Sequence, residues 1–140
     1  RALMSMRLEK NWGAWTLDYR PDFSAKETGL DSFINWEKDF IGKANAQKES
    51  TSNKLTPLIV ETNDIDVTNN EAVMNGNQSI GYVTSGGFAH FVNKSVAFTF
   101  IDHNQIKSEN KIQIEINGDL FNCSIIKEPL YDPSGAKMRS

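Results

Sequence analysis

A chain of 140 residues, 39% hydrophobic and 24% charged, is long enough to bury one core without a disulfide or a metal. A formal charge of -3 with no basic stripe excludes the electrostatic footprint of a nucleic-acid binder, and no apolar run reaches the roughly 20 residues of a membrane helix. The lone Cys123 cannot bridge within the chain and no leader-like stretch is present, so a reducing interior, cytoplasmic or organellar, is expected.

Leu3, Met4, Leu8 and Trp12 recur at helical spacing, so Ala2 to Trp12 reads as a helix, with Arg7 and Glu9 candidates for a buried ion pair. No capping residue precedes it, and the chain is expected to be the C-terminal part of a longer protein cut near the start of that helix. Trp12 to Tyr19 reads as a connection stopped by Pro21, with Arg20 exposed. Ser24 and Glu27 have capping-box spacing, and Gly29 follows so soon that a short turn is expected. Ser32 to Trp36 then reads as a short strand, Ala44 to Ser50 as a second helix capped by Asp39, and Ser50 to Lys54 as a polar linker.

From Leu55 the period changes to two. Leu55 to Glu61 is a strand and Thr62 to Glu71 an acidic loop, while Val73-Met74 and Ser79-Ile80 flank a turn at Asn75 to Gln78. Tyr82 to Gly87 reads as a strand entering a glycine-permitted reversal, and Ser95 to Ile101 as a buried strand. If Asn117-Gly118 is a two-residue turn, Ile116 faces Asp119, Ile114 faces Phe121 and Ile112 faces Cys123, which brings two apolar faces together. Five or six short strands behind an α-rich lead-in predict a mainly β chain, a small antiparallel barrel or sandwich.

Few residues advertise chemistry. Gly76 to Gly81 has phosphate-loop spacing but is followed by Tyr82 where a lysine is required. One Cys and two His supply no zinc ligand set, and Asp64-Ile65-Asp66 lacks the glycine and glutamate of a calcium loop. His90 is either a general acid or base or a histidine bonding loop backbone. Trp12, Trp15 and Tyr19 either stack on a flat heterocycle or glue the helix to the barrel.

Arg7-Leu8-Glu9-Lys10, Ala14-Trp15, Asp18, Glu27-Thr28-Gly29-Leu30 and Asp39-Phe40-Ile41-Gly42 form one set of motifs. Tyr82 to Gly87, His90, Lys94-Ser95, Glu128 to Pro133, Gly135 and Lys137-Met138-Arg139 form a second. Together they resemble the C-terminal half of the folate-binding region of dimethylglycine and sarcosine dehydrogenases, a region homologous to the glycine cleavage T-protein, an aminomethyltransferase. The resemblance implies a C-terminal aminomethyltransferase-type antiparallel β-barrel over residues 55–140, and a helical and irregular lead-in over 1–54 that belongs to the folate-binding region. It implies oxidation of an N-methyl amine, dimethylglycine or sarcosine, by a flavin (FAD) domain, and capture of the one-carbon unit by tetrahydrofolate as 5,10-methylenetetrahydrofolate. The family's catalytic carboxylate lies upstream of Arg1, so no catalytic residue and no metal site are expected here. The implied partners are the upstream domains and folate, in the cytoplasm or, in a eukaryote, the mitochondrial matrix.

At matched positions, Trp15 falls where the T-protein has a tyrosine lining the folate pocket, and Glu27 matches a family glutamate whose preceding Thr-Pro is here Ser24-Ala25. Lys137 or Arg139 is the candidate basic contact to the glutamate tail of folate. A T-protein arginine near the start of the first helix has no counterpart, with Arg1 and Arg7 flanking its place. Two alternatives stay open: a T-protein or related folate-dependent demethylase, and a structural or interaction barrel with no direct catalytic role.

Overall fold

A computed structural model describes residues 2–62 and 64–139, so Arg1 lies outside the described residues. Six antiparallel strands close into a barrel in the order β1-β4-β3-β2-β5-β6. They are β1 (Asn53–Val60), β2 (Ala72–Asn75), β3 (Gln78–Ala89), β4 (Lys94–Asp102), β5 (Ile112–Ile116) and β6 (Asp119–Ile125). Leu58 to Val60 pair with Cys123 to Ile125 and complete the closure, which leaves no free edge. The β5–β6 register is Ile112 with Cys123, Ile114 with Phe121 and Ile116 with Asp119, as the turn argument requires. Asn117 and Gly118 both adopt positive φ (53° and 90°), the geometry that lets a two-residue loop follow the twist of its strands.

Two apolar clusters account for the burial. Alternate residues of the strands, among them Leu58, Val73, Val83, Ala97, Ile101, Ile114 and Ile116, fill the barrel interior. On the outer face Leu8, Ala89, Val96, Phe98 and Ile126 form a second cluster. β4 contributes to both, so Ser95 to Thr99 are buried without a break.

The lead-in supplies that outer cover, and here several expectations need correcting. The first helix, α1 (Ala2–Glu9), ends before Trp12, because Asn11 turns into the left-handed region at φ 57°. Its buried face is Arg7, Leu8 and Glu9; Leu3, Met4 and Trp12, expected to share an apolar stripe with Leu8, are exposed. Ser24 and Glu27 do form a capping box on the short α2 (Ala25–Thr28), which Gly29 stops in the left-handed conformation. Ser32 to Trp36 is not a strand: Asp31–Phe33 make a 3-10 turn. The next helix, α3 (Lys43–Lys48), starts from Gly42 and has no side-chain cap, so Asp39 does not play that part. β1 begins at Asn53, inside the expected linker.

The glycine corner is also corrected. β3 runs straight through Gly86 and Gly87, and the chain reverses later, at residues 90–93. What distinguishes the corner is a bulge between Val83 and Ser85 in the pairing with β4, together with a close approach. A Cβ on Gly86 would stand 2.7 Å from the Val67 carbonyl oxygen, so only glycine lets the acidic loop lie against the strand there.

Candidate functional site

The bulge turns two consecutive hydroxyls, Thr84 and Ser85, to the same buried carboxylate, which regular strand alternation would forbid. That carboxylate is Asp18, fully buried in the turn between α1 and Pro21. Ser85 Oγ donates to it across 2.7 Å and 2.9 Å, the Ala14 amide at 2.7 Å, and Arg7 Nη1 at 2.8 Å. Thr84 shares its single proton between Asp18 and the Phe98 carbonyl. Arg7 and Glu9 are both buried, as expected, but they do not pair: Arg7 takes Asp18, and Glu9 Oε1 accepts from the Phe91 amide at 2.6 Å. Burial pulls the Arg7 guanidinium below its ordinary value, and the Asp18 charge opposes that pull. Its Nε and Nη2 protons find no acceptor among the described residues, and its carbon lies 5.5 Å from the Phe98 ring centre.

This hub brings residues 7, 14, 18, 84 and 85 together, and it is structural. Asp18 has neither solvent access nor an unused oxygen with which to take a proton from a substrate. The sequence carried one signal of it: Arg7, Asp18 and Thr84-Ser85 all stand among the motifs of the family resemblance, although nothing local links them.

The folate candidates occupy separate surroundings. Trp15 is 79% exposed and stands edge-on to Tyr19, with ring centres 5.9 Å apart, beside Thr16 at φ 68°. Trp12 leans instead on Phe33 at 6.3 Å. Trp12, Tyr19, Phe33, Leu55 and Phe98 line a cleft of about 270 Å³. Glu27 is occupied by its own helix start: Oε2 accepts the Ser24 amide at 2.9 Å and Oε1 the Thr51 hydroxyl at 3.1 Å. It borders a polar hollow of about 380 Å³ with Lys26, Asp31, Glu49 and Lys54. Lys137 places its ammonium 4.9 Å from the Tyr131 ring centre, and Arg139 donates to the Ser134 carbonyl at 3.2 Å. Both of these contacts are made to residues of the C-terminal tail.

Other groups with reactive potential are engaged or exposed. The His90 amide donates to Ser5 Oγ at 3.2 Å, and its ring meets Phe88 edge-on. His103 lies 2.8 Å from Thr56 Oγ1, and burial, seconded by Lys54, lowers its pKa. Burial pushes the Cys123 thiol up to about 12, which keeps it protonated and a poor nucleophile near neutrality. Arg20 is exposed, as expected, and pairs with Asp22. Among the described residues no three His, Cys, Asp or Glu side chains are grouped to hold a metal ion. No helix there is long and apolar enough to cross a membrane.

Comparison with known proteins places this geometry. The chain is 31% identical to mouse mitochondrial dimethylglycine dehydrogenase over 99% of its own length and 17% of that protein. The human mitochondrial dimethylglycine dehydrogenase is likewise 31% identical, over 92% of the chain and 16% of the relative. Aquifex aeolicus aminomethyltransferase is 27% identical over 93% of the chain and 37% of the relative. The chain thus spans about a sixth of the dehydrogenases it matches and little more than a third of that aminomethyltransferase. In fold it is similar to the glycine cleavage system aminomethyltransferase T of Bartonella henselae, with a TM-score of 0.81 at 21% identity over 94% of this chain and 38% of that one. The glycine cleavage T-protein C-terminal barrel domain family matches residues 53–132. That stretch runs from the first residue of β1 to the tail aspartate that holds Lys10, more than half of the sequence, and the chain belongs to this family.

Proposed function

We propose that this chain is the C-terminal barrel of a folate-dependent aminomethyltransferase-type module. In a longer protein it would be coupled to oxidative demethylation of an N-methyl amine, dimethylglycine or sarcosine, yielding 5,10-methylenetetrahydrofolate. The observation that carries this reading is the reach of the dimethylglycine dehydrogenase similarity: it extends over 99% of the chain, so it takes in the lead-in as well as the barrel. Flavin would belong to a domain outside this chain, and the partners would be the remaining domains of the same polypeptide. Since the mouse and human dehydrogenases it resembles are mitochondrial proteins, the mitochondrial matrix suits a eukaryotic parent.

Tetrahydrofolate, when bound, supplies an amine that accepts a one-carbon unit. Toward it this chain would offer a wall rather than a reacting group. The indole of Trp15 is exposed and held by Tyr19, which fits stacking against a flat ring. Glu27 fits less well, because both of its oxygens already accept hydrogen bonds. Lys137 and Arg139 carry charge suited to a carboxylate tail, at the end of a segment pinned by Asp132. A purely structural barrel is the competing reading, and the saturated Asp18 hub favours it.

Two measurements separate these readings. Trp15→Ala in the complete protein should weaken tetrahydrofolate binding about tenfold, in line with the loss of one stacking wall of about 1–3 kcal/mol. Unchanged affinity and unchanged methylene transfer would remove Trp15 from the site. The isolated chain should bind folate very weakly or not at all, and micromolar affinity would mean that the pocket needs nothing upstream. A Gly-X-Gly-X-X-Gly fingerprint in the upstream sequence separates a dehydrogenase parent from a T-protein.

A further inference from the structure

A second hollow, of about 520 Å³, lies between α1, the turn after β3 and the C-terminal tail. Its walls include Met6, Phe91, Tyr131 and Met138, and Glu9 and Lys10 face into it. Glu9 is 5% exposed and anchored from both ends, its Oε1 by the Phe91 amide and its carbonyl by the Tyr131 amide at 2.9 Å. Its second oxygen, Oε2, has no partner among the described residues. That oxygen is not among the buried side-chain atoms left without a partner, so it is open to solvent, and a cationic donor there makes a stronger hydrogen bond than a neutral one.

Among the described residues the nearby lysines are already committed. Lys10 donates to the side chain and carbonyl of Asp132, and Lys137 lies over the Tyr131 ring. That stacking also marks the Tyr131 ring as a surface that accepts an ammonium group. Phe91 meets Tyr131 edge-on at 4.8 Å, and the exposed parts of Met6, Phe91 and Met138 give an apolar rim around the carboxylate. Apolar walls converging on one charged group are the make-up of a small-molecule site, and the volume falls within the usual range of about 300–1,000 Å³.

We propose that this hollow binds an organic cation on an apolar stem, an alkylguanidinium or alkylammonium group, with the Glu9 carboxylate as its anchor. The stem covers Met6, Phe91 and Met138 while the head group donates to Glu9 Oε2. The assignment does not depend on folate binding. The same chemistry is presented by a free amine and by an arginine side chain.

The test is a titration of the isotope-labelled chain with n-butylguanidinium, followed through the Phe91 and Tyr131 amide resonances, against n-pentanol as a neutral probe of similar length. Saturable shifts at both amides are expected, with the cation binding at least about tenfold more tightly than the alcohol. Glu9→Gln keeps an acceptor for the Phe91 amide and should lose most of that preference. Equal binding of the two probes to the wild-type chain, or no saturable shift at either amide, overturns the proposal whether or not the variant folds. Retention of the preference by a folded Glu9→Gln variant overturns it as well. An N-acetyl-arginine-methylamide arm settles the source: binding as tight as that of n-butylguanidinium indicates an arginine side chain, and weaker binding a free amine.

Discussion

β4 and β5 are both interior strands of one closed barrel, yet their burial differs. Ser95 to Thr99 of β4 are buried without interruption, whereas in β5 the buried residues Ile112, Ile114 and Ile116 alternate with Gln113 and Glu115. The inner faces are equivalent; the outer faces are not. Outside β4, Val96 and Phe98 meet Leu8, and Phe100 stacks on Phe23 of the lead-in at 4.1 Å. Outside β5 the described residues give no such cover, and the outward positions are the polar Gln113 and Glu115. A strand's pattern therefore reports on its neighbours on both sides, and β4 looks continuous because residues far away in sequence complete it.

The sharpest way to break this comparison is at the hub that holds the cover in place. Asp18→Ala leaves the Arg7 guanidinium buried and unpaired and should cost about 3–5 kcal/mol in urea unfolding. A loss below about 1 kcal/mol, the scale of a surface ion pair, would mean that the lead-in is held by apolar contact alone. Next in size is Ile114→Ala on the uncovered side, expected to cost about 3 kcal/mol through a cavity in the barrel interior. Hydrogen exchange at the Ala14 amide, which donates to Asp18, should accelerate locally in the first variant but follow only global stability in the second.

A smaller effect probes the β5–β6 turn. Gly118→Ala puts a side chain at φ 90° and should cost about 1 kcal/mol, with no change at the lead-in. The smallest concerns the tail. Burial raises the Asp132 carboxyl, but the Lys137 amide and Lys10 outweigh it and hold its pKa below the ordinary carboxylate range. The tail contact is then fully present above that range and is lost as pH falls through the depressed value. The Lys137 amide resonance should stay flat from neutrality to about pH 4 and move only below it. Movement at higher pH would show that Asp132 does not pin the tail.

How much of this was legible follows from the range of each interaction. The β5–β6 register could be read because an Asn-Gly turn and two short alternating runs specify it within fifteen or so residues of chain. The capping box at Ser24 was equally local. The false strand at Ser32 to Trp36 and the overlong first helix arose where short apolar patterns carried no information about what would cover them. The Arg7–Glu9 pairing failed because a nearer partner in space, Asp18, lies eleven residues on. The four folate candidates were named from family resemblance, and the structure leaves them in separate surroundings rather than joining them.

By itself the sequence determined the class of molecule. Period-two patterning after residue 54 and the hairpin turn chemistry specify a small antiparallel barrel or sandwich, because these depend on neighbours in the chain, and the motif set adds the resemblance to the T-protein C-terminal barrel. Only the tertiary structure decided what the Thr84 to Gly87 corner is for. Its bulge presents two hydroxyls to a carboxylate 66 and 67 residues earlier, and no local preference encodes a contact whose closing entropy is repaid only when helix, turn and barrel assemble together.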